Sequence, residues 1–110
     1  MSNVIDHGFD IFGKALKNYR KPLIQRQLAA MIGVTRTAVV KYETGERFPD
    51  PATVKLIIKT VKRDDREVIN LKSAWVESFR ASDRRKKAQL LNKYALPATA
   101  SDKELLSLLS

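Results

Sequence analysis

No cysteine occurs among the 110 residues, which excludes a disulfide framework and any thiolate metal site and leaves packing to hold the fold, as in a reducing compartment. Histidine is nearly as scarce. The single one, His7, has no second histidine, cysteine or spaced carboxylate near it, so an exposed titrating side chain is expected there rather than a ligand or catalytic base. Also missing are a paired-carboxylate site, a nucleophile beside a base and a phosphate-cradling glycine loop. An enzyme is therefore not expected, nor a metal or cofactor. No apolar run approaches about 20 residues, and the start, MSNVIDHGFD, has no basic segment followed by a long apolar one. Neither a membrane span nor an export signal is expected, and the cytoplasm is the expected location.

What the chain has in excess is positive charge. Lysine and arginine number 21 against 12 acids, a formal charge of +9, so a polyanionic partner is expected. Nucleic acid comes first, because each phosphate neutralised by a cation releases condensed counterions. A membrane surface would need a broad apolar helix face opposite the basic residues, and the basic run here lacks one. The length suits one small domain with at most an appended segment.

The densest local pattern is QRQLAAMIGVTRTAVVKYETGERFP, residues 25–49. Leu28 and Ile32 repeat at helical spacing, and Gly33 interrupts them as a left-handed helix end requires. Thr35 then caps a second helix, over 35–43, because its side-chain oxygen can accept from a free backbone N–H two or three residues on. That helix has two faces, with Val39 and Tyr42 on the packing side and Arg36, Thr37, Val40 and Thr44 on the other. Ala29 is small where a crossing helix must come close. Gln25, Leu28, Ala29, Gly33, Val34, Thr35, Val39, Tyr42, Glu43, Gly45 and Pro49 stand in the order of the Cro/repressor-like (Xre-type) helix-turn-helix family, which this stretch resembles from Phe9 to about Val61.

The resemblance implies an all-α, five-helix lambda-repressor-like helix-turn-helix domain with an additional C-terminal helical segment, the DNA-binding part over residues 9–63, and a bacterial, phage or plasmid transcription regulator, most often a repressor. It also implies that Arg20, ending the first helix, pairs with Glu43. The connection Lys21-Pro22-Leu23-Ile24 departs from the family, being about two residues short, with Ile24 where a capping Ser or Thr is usual.

A duplex reader needs a helix whose leading turn enters the major groove. Arg36, Thr37, Val40 and Lys41 are the candidates for base edges, Arg36 through guanine O6 and N7 and Val40 through a thymine methyl. Gln25 and Thr35, at helix starts that favour anions, are expected on phosphates together with Thr44 and Arg47. One small domain buries limited surface, so a homodimer on an inverted repeat is expected, with half-sites about 34 Å apart.

Around this centre, residues 1–8 read as a polar, mobile arm and Phe9–Arg20 as a first helix carrying Phe12, Leu16 and Tyr19. Asp50 and Pro51 start a fourth helix whose core residues are expected to be Val54, Leu56, Ile57, Ile58 and Val61. Asp64 or Asp65 starts a fifth, with the stripe Val68, Leu71, Trp75, Val76 and Phe79, expected to run on through Arg84-Arg85-Lys86-Lys87 towards Tyr94. Ser101 and Glu104 form a capping box before Leu105, Leu106, Leu108 and Leu109. Residues 64–110 are thus a C-terminal helical extension with open uses. Val68, Leu71, Trp75, Phe79, Leu105, Leu106 and Leu109 can pack inward, form a dimer seam or meet another protein. The basic run is a solvated face or an auxiliary grip on phosphates. The alternative to a repressor is an antitoxin-like adaptor, its extension holding a protein partner while the first half tethers it to DNA.

Overall fold

The computed structural model describes residues 8–110, so His7 and nearly all of the expected arm lie outside the described residues. Seven helices are present and, among the described residues, no strand: α1 Asp10–Arg20, α2 Gln25–Ile32, α3 Arg36–Thr44, α4 Pro51–Thr60, α5 Asp65–Ala81, α6 Arg84–Lys93 and α7 Asp102–Ser107. Five starts are set by a capping side chain, that of α6 by Asp83. The Thr35 hydroxyl accepts from Ala38 N at 3.1 Å, and Asp50 accepts from Thr53 N at 2.8 Å. Asp64 accepts from Glu67 N at 2.9 Å, and Ser101 from Glu104 N at 3.2 Å. Each satisfies one of the donors that a helix start leaves open.

α1 has no such residue, since Phe9 stands at its N-cap. The Phe12 N–H that a cap would take donates instead to Ser78 Oγ on α5 at 2.7 Å, inside the core. At the other end of α1, Arg63 donates to the carbonyls of Tyr19 at 3.0 Å and Lys21 at 2.6 Å, placing a cation on the negative end of the helix. The α5 region thus closes both ends of α1. α2 begins at Gln25 despite Ile24: Gln27 Oε1 reaches back to accept from Ile24 N at 2.9 Å, which is the half of a capping box that needs no acceptor at the cap.

Two expectations about elements need correction. The fifth helix does not run through to Tyr94. It ends at Ala81, where Ser82 turns extended with its hydroxyl donating to Phe79 O, and Asp83 accepts from Lys86 N at 2.8 Å to begin α6. A Ser–Asp pair offers the backbone these local bonds in competition with the helix. Leu56 is not in the core but 39 % exposed, whereas Val54, Ile57 and Val61 on α4's other face are buried.

The core is continuous across residue 63. Phe9, Phe12, Leu16 and Tyr19 of the first helical segment share it with Leu71, Trp75, Val76 and Phe79 of α5 and with Leu105 and Leu109 at the C-terminus. An aromatic row runs through it: Phe9 stacks on Phe48 with centroids 4.4 Å apart, Phe48 on Trp75 at 4.9 Å, and Trp75 on Phe79 at 5.8 Å. The indole N–H at its centre donates to Pro49 O at 3.0 Å, which gives the buried polar end of the ring its partner.

Candidate nucleic-acid interface

The α2–α3 pair is joined by a three-residue turn. Gly33 has φ +72° and its N–H and that of Val34 both return to Ala29 O, a left-handed helix stop that a glycine adopts without strain. Ala29 is buried at the crossing. α3 then presents Ala38, Val39 and Tyr42 to the core, and Gly45, with φ +87°, ends it.

The opposite face is open. Arg36 and Thr37 are exposed in the first turn, and Val40 and Lys41 are half-buried one turn on. Thr35 uses its oxygen as an acceptor for the cap, a role that leaves its hydroxyl hydrogen available to donate to an acceptor beyond the helix. Thr44 is exposed but bonded locally, its hydroxyl within 3.3 Å of Lys41 O and of Glu46 Oε2. Arg47 is exposed in the loop after α3. That loop is fastened behind, through Phe48 in the aromatic row and Pro49 on Trp75. The extension therefore holds Arg47 in place.

Behind α3 lies an ionic network. Arg20 donates through Nε to Glu43 Oε2, through Nη2 to Oε1 at 3.3 Å, and through Nη1 to Leu23 O at 2.7 Å. The two side chains are only 11 % and 6 % exposed, so the pair is a buried one joining α1, the α1–α2 turn and α3. Gln25 joins it, its amide donating to Glu43 Oε1 at 2.9 Å. The expectation of Gln25 on a phosphate is corrected to that extent: its amide is directed inward, because the second carboxylate oxygen offers a charged acceptor within reach.

Sequence reading missed Gly13. It is buried on α1, and a Cβ there would come within 2.7 Å of Tyr42 O on α3. An isolated glycine inside an amphipathic helix is the signal that could have found it. Ser78 and Arg63 left no local signal.

Of the uses open to the extension's apolar stripe, the structure shows inward packing for most of it. Leu71, Trp75, Phe79, Leu105 and Leu109 are buried in the chain's own core, while Val68 and Leu106 are partly covered. α5 packs against α1 and α7, and Trp75 stacks on Phe48 of the loop after α3.

A family model described as helix-turn-helix matches residues 16–67, the stretch holding α2, α3 and α4. The chain carries a Cro/C1-type, Xre-like helix-turn-helix domain. A domain of this kind indicates a DNA-binding helix-turn-helix regulator. No curated protein and no solved structure matched the chain. Among the described residues, no helix is long and apolar enough to cross a membrane. The helix-turn-helix domain is bordered by Tyr94, whose phenol is pushed up to about 12 by burial and, secondarily, by the Asp50 carboxylate.

Proposed function

We propose that this regulator is a repressor that binds an inverted-repeat operator as a homodimer, each copy laying the first turn of α3 in the major groove. One observation carries the reading: Arg36 and Thr37 are exposed at the start of a capped helix whose other face, Ala38, Val39 and Tyr42, is buried. Arg36 reads a guanine through two parallel bonds, which discriminates by about 1–3 kcal/mol. Thr37 and Val40 lie against neighbouring base edges, and Lys41 extends the row. Thr35 and Arg47 hold phosphates on either side and set the register without reading sequence. The net charge of +9 supplies the long-range attraction that any duplex feels.

Selection of bound sites from a random duplex pool tests this directly. A two-fold symmetric site is expected, with half-sites about one helical turn apart. Arg36→Ala should relax the preference at one position per half-site, and Arg47→Ala should weaken all duplexes alike. Equal loss on every sequence for both variants would overturn the division of roles.

A further inference from the structure

α6 opens on four cations, Arg84-Arg85-Lys86-Lys87, with no acid in its first turn. The helix dipole places partial positive charge at that end, so this arrangement is the reverse of what helix stability favours. A solvated run facing away would need no further account. Two lysines of this helix do not face away. Lys86 and Lys93 lie seven residues apart with Leu90 between them, on one face, and together with Lys41 of α3 and Arg47 of the following loop they line a cleft of about 330 Å³. Phe9, Phe48, Leu90 and Tyr94 form its apolar back. Glu46 is the only acid among the lining residues, and it already accepts from Thr44. Asp10 pairs with Lys14, Glu43 with Arg20 and Asp102 with Arg80, so these three acids are taken up away from the four cleft cations.

Four like charges lining one cleft repel one another, and an anion with several acceptor oxygens relieves that repulsion. Two of the four belong to α3 and its loop, the elements that the proposed function sets against DNA. We infer that the cleft between α3 and α6 is a second phosphodiester-binding site, through which the extension grips the duplex backbone beyond the bases that α3 reads. The inference rests on the proposed function and lengthens its footprint. Lys86 and Lys93 touch phosphate only, so they add affinity and no base preference.

The test uses the full chain with Lys86→Gln and Lys93→Gln together, binding a selected duplex measured by fluorescence anisotropy between about 50 and 200 mM salt. Both side chains are polar-tipped and off the core, and circular dichroism checks that helix content is kept. The plot of log affinity against log salt should become shallower by about 0.9 for each phosphate that is no longer neutralised, hence by one to two in all, with the selected sequence unchanged. Lys62→Gln with Lys103→Gln removes the same charge at exposed sites outside the cleft and should leave most of the slope. An unchanged slope in the cleft variant, or an equal drop in both, overturns the inference while leaving the regulator reading intact. A parent chain indifferent to duplex sequence overturns the regulator reading itself. A second arm titrates a nucleoside diphosphate against the DNA-free protein, read by Trp75 emission. Saturable binding that the cleft variant loses, with its DNA slope unchanged, would assign the cleft to a small phosphorylated ligand instead.

Discussion

Gly13→Ala tests how α3 is seated. In a lone helix this change stabilises by about 1 kcal/mol, because alanine loses less backbone entropy. Here the added methyl would stand 2.7 Å from both Tyr42 O and Glu43 C, and closer still to Glu43 O, where ordinary contact begins near 3.4 Å. The obstructing atoms are main chain of α3 and cannot rotate aside, so α1 and α3 must part by more than half an ångström. Overpacking of this kind costs about 1–3 kcal/mol, and rigid neighbours put it at the upper end. Setting that against the propensity gain leaves a net loss of about 2 kcal/mol, a fall in melting temperature of about 10 °C for a domain of this size. Urea denaturation followed by emission of Trp75, the chain's single tryptophan and fully buried, measures it. Gly33→Ala is the reference. Its Cβ meets nothing within 4 Å, so only the left-handed backbone is penalised, by about 1 kcal/mol. The expected order is Gly13→Ala worse than Gly33→Ala, with weaker duplex binding for the former because α3 has moved. A Gly13→Ala chain as stable as the parent would refute the close approach.

Further outcomes are expected at the buried polar groups. Arg20→Ala leaves Glu43 with Gln25 alone and should cost about 3–5 kcal/mol in urea denaturation; Arg20→Lys should recover only part, since one ammonium cannot reproduce the guanidinium's set of bonds to Glu43 and Leu23 O. Ser78→Ala strands the Phe12 N–H in the core and should cost about 1–3 kcal/mol by the same assay, against no loss if that bond is unimportant. Burial raises the phenols of Tyr94, to about 12, and Tyr19 above their ordinary value of 10. The unfolded chain then loses these protons first, so stability is intact below pH 10 and falls as pH rises through about 12. Urea midpoints measured upward from pH 9 should show the decline, smaller in Tyr94→Phe; an equal decline in both would remove Tyr94 as a source.

Much of this was legible in the chain because it is local. Thr35, Asp50, Asp64 and Ser101 each announce a helix within three residues of themselves, and Gly33 and Gly45 announce where two of them stop. Spacing also showed which side of α5 is apolar. It could not show what that side meets, so Leu71, Trp75 and Phe79 were equally compatible with a seam between copies and with the interior. Leu56 sits in an apolar run whose periodicity is blurred by Ile57 and Ile58, and its outward direction came only with the structure. The bonds from Phe12 to Ser78 and from Arg63 to Tyr19 join residues 66 and 44 apart in sequence. No pattern of one segment encodes a partner at that distance.

The Ser78 and Trp75 bonds carry a lesson about where to cut. A fragment stopped at residue 67, where the family match ends, would finish inside the first turn of α5. It would leave the amide of Phe12 without its acceptor and the loop bearing Arg47 without its anchor. The piece that a protease, a cloning scheme or a recombination event can move intact is thus larger than the stretch bearing the family's signature.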